Sequence, residues 1–230
     1  MKRKLQMKIT PYGKKLDIDG LMESLRISFD NYKIPIVTLI AVQEKDPFKV
    51  LISTMLSSRT KDQTTAAASK RLYEKAGTPE KLAGLAVADI EKLIYPVGFW
   101  RTKAPRIKSA AKKLIESFDG QVPQSLEELM SFEGVGRKTA NLVLGEAFRK
   151  EAICVDVHVH RISNRLGIIE TKTPYETEQM LEEVLPRKHW IRYNTYIVAH
   201  GQQICKPLSP LCSQCPITSY CKQIGVEKRR

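Results

Sequence analysis

Leu126-Glu127-Glu128-Leu129-Met130-Ser131-Phe132-Glu133-Gly134-Val135-Gly136-Arg137-Lys138-Thr139-Ala140 runs out of one short apolar-periodic segment and into another. Two helices joined by a tight glycine hairpin fit this pattern. Gly134 and Gly136 permit positive φ and the close approach of a second backbone. The helix that follows starts with N–H groups that have no intrahelical acceptor and point outward at the hairpin. Such donors suit a phosphate. An ordinary helix–turn–helix corner is the plain alternative for an isolated Gly-Val-Gly.

Charge weights the choice. The chain has 230 residues, 38 Lys and Arg against 25 Asp and Glu, and a formal net charge of +13. A positive field of this size on a chain with 42% hydrophobic residues points to a folded core that seeks a polyanion, nucleic acid before an anionic membrane surface. The hairpin then reads as a helix-hairpin-helix, holding one strand by its sugar–phosphate backbone through Gly134, Val135, Gly136, Arg137 and Thr139 without reading sequence. No apolar run approaches the roughly 18 residues of a membrane span, and Met1-Lys2-Arg3-Lys4 lacks the apolar stretch of an export signal. The expected setting is therefore inside the cell, with the nucleoid in a prokaryote or in a nucleus.

Four cysteines, Cys205, Cys212, Cys215 and Cys221, crowd the last thirty residues in a Cx6Cx2Cx5C spacing interrupted by Pro207, Pro210 and Pro216. Thiolates so close in sequence could hold a tetrahedral Zn²⁺, pair as disulfides or ligate an iron–sulfur cluster. Only Cys212 and Cys215 form a short knuckle, and the unequal loops suit a [4Fe–4S] cluster better than a compact zinc site. Disulfides rank third. Cys154 lies in an apolar run and reads as core.

Elsewhere the apolar period is helical and strand alternation is scarce, so the expected fold is all-α. Ile18, Leu21, Met22, Leu25 and Phe29 share one helical face, preceded by a mobile basic arm over residues 1–15. Asp46-Pro47 supplies an N-cap and first-turn proline for a buried helix carrying Phe48, Leu51, Ile52, Met55 and Leu56. Thr78-Pro79-Glu80 caps another. Ile107, Ala111, Leu114, Ile115 and Phe118 are expected inward on a helix with Pro105 near its start, while Lys103, Arg106, Lys108, Lys112 and Lys113 ride on a solvated face. Thr173-Pro174-Tyr175-Glu176 forms a capping box, and Trp190 to Gln202 is the last helix.

Lys138 falls in the first turn after the hairpin. A lysine with a pKa of about 10.4 is neutral in only roughly a few molecules per ten thousand at pH 7, so a nucleophilic amine needs a drop of about three units. A helix N-terminus, the neighbouring Arg137 and partial desolvation all act in that direction. A phosphate-binding lysine is the alternative. Asp156 follows 18 residues later among apolar neighbours in Val155-Asp156-Val157-His158. It could cap the next helix, or accept a lysine proton and stabilise positive charge developing on a sugar carbon. His158 and His160 are expected to be hydrogen-bonded rather than metal ligands.

Taken together, LSSRTKD at 56–62, YPVGFW at 95–100, GVGRKTA at the hairpin, VDVH at 155–158, NRLG at 164–167 and the four cysteines resemble the endonuclease III branch of the helix-hairpin-helix DNA glycosylases. The resemblance spans about residues 33–221. It implies a six-helix barrel domain at 40–150 with its hairpin at about 125–147. Residues 1–39 and 151–230 would form a second helical domain with the [4Fe–4S] loop at 205–221, and DNA would lie in a cleft between the two. By the same resemblance Lys138 is the nucleophile toward C1′ of a flipped-out damaged nucleotide and Asp156 its paired acid. The products would be a Schiff base and a β-eliminated strand, and the substrates double-stranded DNA with oxidised pyrimidines such as thymine glycol or abasic sites; a monomer is the default expectation, apart from the resemblance.

The resemblance also makes Phe99 and Arg59 gap fillers in the opened duplex, with Ser57 and Asp62 beside them lining the pocket or capping a helix. Arg59 stands where many relatives carry Gln, which leaves the opposite-base preference open; Arg suits a guanine edge or a phosphate. Glu133 replaces a common Pro, and its negative charge beside a phosphate site should weaken that site unless it points away toward Arg137 or Lys138. Lys206 is the single cation between Cys205 and Cys212, a candidate DNA contact in a cluster loop short of positive charge. An adenine glycosylase of the same superfamily would need Glu near position 53 and Ser at 138, where this chain has Ser53 and Lys138. The enzymatic rival is a thymine or uracil mismatch glycosylase. The rival of another class is a catalytically silent DNA-binding or redox-sensing protein.

Overall fold

The structure is a computed structural model that describes residues 8–230; the first seven residues of the basic arm lie outside these. The described remainder of the arm is folded into a strand and a short helix. β1 (Lys8–Ile9) pairs antiparallel with β2 (Ile169–Glu170), and Thr10 caps α1 (Pro11–Lys15) by accepting from Gly13 N at 3.1 Å. Gly13 lies so close to the Ile168 carbonyl that a Cβ there would collide with it. The next helix, α2 (Ile18–Phe29), is capped by Asp17 and buries Ile18, Leu21, Met22 and Leu25, with Phe29 against Tyr196 at 5.0 Å.

Among the described residues the fold is all-α apart from that two-stranded ribbon, and it divides into two compact units. One is Pro35–Ala152; the other joins the residues up to Ile34 to Ile153–Arg230. The middle unit holds α3 (Ile36–Glu44), α4 (Pro47–Ser57), α5 (Asp62–Ala76), α6 (Pro79–Gly84), α7 (Val87–Ile94), α8 (Trp100–Phe118), α9 (Leu126–Met130) and α10 (Arg137–Phe148). All of α3 belongs here, because Ile36, Val37, Ile40 and Ala41 enter the same core as Leu51, Leu56 and Leu144. Asp46 caps α4 through Phe48 N at 2.9 Å, and Thr78 caps α6. Asp62 occupies the first position of α5, not its cap, and accepts from Ile36 N at 3.2 Å.

Two side chains of α8 leave their expected faces. Ile115 is exposed, and Lys103 is buried at 8% exposure, its ammonium donating to the carbonyls of Leu56 and Ser58. A cation so placed is tolerated because it is hydrogen-bonded, although burial still lowers its pKa to about 8.

The terminal unit contains α1 and α2 with α11 (Val157–Leu166), α12 (Pro174–Val184) and α13 (Trp190–Gln203). Val159, Ile162, Leu181 and Ile197 pack with Leu21 and Leu25. The Thr173–Glu176 capping box opens α12, and Cys154 lies in the core as expected. Among the described residues no helix is long and apolar enough to cross a membrane.

Candidate functional site

In the middle unit the hairpin is anchored from beneath. Phe132 is buried and stacks on Phe118 with ring centroids 5.5 Å apart, Val135 is buried, and the Lys113 ammonium sits 5.2 Å from the Phe132 ring centre. Gly134 has a φ of 82°, in the left-handed region. Gly136 does not: its φ of −92° and ψ of 176° are extended backbone, and it serves as N-cap of α10 with no side-chain cap. A Cβ at Gly136 would meet nothing within 4 Å, whereas one at Gly134 would press on Arg106. Glu133 turns away from the helix start and pairs with Arg106 at 3.0 Å, not with Arg137 or Lys138. Lys138 and Thr139 follow in the first turn of α10, Lys138 with an exposed side chain.

The same unit brings Arg59 and Phe99 together. The guanidinium lies 5.5 Å from the Phe99 ring centre, and both side chains are exposed, Phe99 at 60%. Both residues are left-handed, with φ of 52° and 58°. Each such non-glycine residue costs about 1–3 kcal/mol and persists only where the surroundings over-determine it. Ser57 is turned back into its own helix, donating to Thr54 O at 2.9 Å.

In the terminal unit Asp156 is the N-cap of α11, and its Oδ1 accepts from His158 N at 2.8 Å and Val159 N at 2.9 Å. The carboxylate is half-buried. His158 contacts Arg161 at 3.2 Å and His160 contacts Thr177 at 2.7 Å, so both imidazoles are held by hydrogen bonds, as expected.

Cys205, Cys212, Cys215 and Cys221 are unpaired by disulfides and line one cavity with Ile162, Leu166, Leu211 and Ile217. Among the described residues no three His, Cys, Asp or Glu side chains are close enough for one metal ion. Four thiols lining one apolar cavity are the donor set that an iron–sulfur cluster takes. Burial raises the pKa of Cys215 and pushes that of Cys221 up to about 11, so their thiolates need a compensating positive charge, which iron supplies. Lys206 does not reach outward. Its ammonium donates to the Gln202 carbonyl at the C-terminal end of α13.

Residues 52–187 match the HhH-GPD superfamily of base excision DNA repair proteins, and residues 205–221 match the iron–sulfur binding domain of endonuclease III. Endonuclease III of Thermotoga maritima is 50% identical over 180 residues, covering 78% of this chain and 84% of that protein. The chain belongs to the endonuclease III family. It is a base excision repair enzyme of the DNA glycosylase/AP lyase class, with a [4Fe–4S] cluster as its cofactor. The chloroplastic endonuclease III homolog 2 of Arabidopsis thaliana is 45% identical over 183 residues; the chain spans only 47% of that longer relative. A solved endonuclease III–DNA covalent intermediate, trapped as an estranged-adenine complex, superposes with a TM-score of 0.80 at 32% identity, covering 90% of this chain and 94% of that one.

Several residues of this endonuclease III-family enzyme escape a reading of the sequence. Arg165 donates to Cys205 Sγ at 3.4 Å and to the carbonyls of Lys206 and Pro207, and Arg161 donates to the Cys205 carbonyl at 2.9 Å. Spacing on α11, one turn apart, was the only available sign of their pairing. His200 is fully buried between the Tyr32 hydroxyl at 3.5 Å and Cys215 Sγ at 3.7 Å. Desolvation, then the Arg161 charge, lowers its pKa to about 4, so a neutral imidazole sits there. Lys103 left no sign at all.

Proposed function

We propose that the enzyme removes oxidised pyrimidines of the thymine glycol type from double-stranded DNA and cuts the strand at the resulting abasic site, with Lys138 as nucleophile. The observation that carries this is the start of α10. The exposed Lys138 side chain stands two residues past Gly136, a glycine N-cap at which an added Cβ would meet nothing within 4 Å, so it adjoins the backbone donors that would hold a phosphate. A relative 32% identical was captured as a covalent intermediate with DNA, and such an adduct requires a nucleophile, a role that a lysine amine can take.

In the proposed reaction the neutral Lys138 amine attacks C1′, the glycosidic bond breaks, and the base departs with its electron pair and a proton. Opening of the sugar, with O4′ taking a proton, leaves an imine between Lys138 Nζ and C1′. Loss of a C2′ proton then expels the 3′ phosphate by β-elimination, and water releases the lysine. Asp156 would accept the lysine proton and stabilise the positive sugar carbon through its carboxylate. The reading requires both residues to act on one nucleotide. Cys205, Cys212, Cys215 and Cys221 hold the cluster, whose role in this reading is structural. Arg59 and Phe99 would fill the gap left by the flipped nucleotide.

Borohydride added during reaction with thymine-glycol duplex should trap a covalent complex that Lys138→Gln abolishes. Equal trapping by that variant removes Lys138 from the role. Thymine and uracil opposite guanine, assayed beside thymine glycol, decide against the mismatch reading if they react far more slowly. Binding should also weaken steeply with salt, each phosphate contact adding about 0.9 to the log–log slope.

A further inference from the structure

The segments that carry Arg59 and Phe99 meet backbone to backbone. A Cβ on Gly98 would collide with the Arg59 carbonyl oxygen, and Gly98 N donates to Thr60 Oγ1 at 3.1 Å. Beneath this junction lies Lys103. Its ammonium donates to Leu56 O at 2.7 Å, Ser58 O at 2.6 Å and Thr60 Oγ1 at 3.3 Å. These acceptors close the C-terminal end of α4, where carbonyls lack intrahelical partners and a positive charge is favoured.

An apolar side chain would fill the space but leave those carbonyls unmet; the ammonium joins three points of one loop, and Thr60 passes the link to the other. Two left-handed residues on adjacent loops, stacked on each other and both exposed, are what such a clamp over-determines.

We propose that Lys103 is a positioning residue for duplex opening: it fastens residues 56–60 to residues 95–99, so that Arg59 and Phe99 meet the duplex already stacked and need no ordering on arrival. This rests on the proposed DNA reaction only in taking duplex DNA as the target. Loop order settled before binding leaves more of the contact energy for unstacking the bases.

The test uses the cluster-loaded full chain and a duplex carrying a tetrahydrofuran abasic analogue with 2-aminopurine as its opposite base. The analogue cannot react, so the brightening of 2-aminopurine reports opening alone. Lys103→Met should need about tenfold more protein to reach half-brightening, and Thr60→Val a few-fold more, while trapping on single-stranded abasic DNA, which has no partner strand to open, changes less than about twofold. Wild-type opening by both variants overturns the proposal, as does equal loss on duplex and single strand. If Lys103→Met fails to fold by circular dichroism, Thr60→Val decides by the same criteria, since its side chain is only half-buried. Loss of trapping by the wild type with opening intact would overturn the Lys138 chemistry and leave the Lys103 result standing.

Discussion

The helices that carry the two candidate catalytic groups begin in opposite ways. α11 starts with Asp156, whose Oδ1 accepts two first-turn amides; α10 starts with Gly136, which offers no side chain and sits in open space. One start is satisfied within the fold. The other is left without a side-chain cap, and Gly136 does not need to be glycine for its own dihedrals, since any residue adopts extended backbone. Glycine at that place makes sense for something that must come close. The lesson is that a fold marks a ligand position by declining a stabilising cap worth about 1 kcal/mol as clearly as by supplying a charged group.

Asp156 offers the largest expected effect, because it has two separable duties. Asparagine caps a helix about as well as aspartate, so Asp156→Asn should keep the melting temperature while trapping on thymine-glycol duplex falls about 10²–10⁴-fold. Asp156→Ala should lose the same activity and also about 1 kcal/mol of stability. Activity close to wild type in Asp156→Asn would reduce the residue to a cap.

Gly136→Asp converts the start of α10 into a copy of the start of α11. The backbone accepts it, and a Cβ there meets nothing within 4 Å. Stability should rise by up to about 1 kcal/mol while duplex affinity, read by fluorescence anisotropy, falls about tenfold as a carboxylate takes the place of a phosphate. Stabilisation with unchanged affinity would show that no phosphate approaches there.

These local contrasts explain what the sequence could reveal. The Asp46-Pro47 start, the Thr173 capping box and the cysteine spacing are written within a few residues, so each was readable before any packing was known. Gly134 was placed correctly in the left-handed region for the same reason. Gly136 was not, because whether a glycine serves dihedral freedom or open space depends on what surrounds it. Lys103 was assigned to solvent from its helical phase; its acceptors lie more than forty residues earlier in the chain, and only tertiary packing brings them under α8. The outcome for α3 has the same origin, since a run of apolar residues does not say which of two cores it will enter.

Lys206 carries the same contrast to its smallest expression. As the single cation between the first two cysteines it invites assignment to DNA, yet its ammonium is given to a carbonyl at the end of α13, where it satisfies an orphan acceptor and the negative end of a helix. A side chain already committed in this way gains little by leaving for a phosphate, because it gives up one hydrogen bond to make another. Lys206→Ala should therefore lower stability by about 0.3–1 kcal/mol and change duplex affinity less than about twofold at moderate salt. The slope of log affinity against log salt separates the alternatives: a lysine that neutralises a phosphate takes about 0.9 from that slope when removed, and one that caps a helix takes nothing. An unchanged slope with a lowered melting temperature would place Lys206 with Asp156 Oδ1 among the groups the fold has already used.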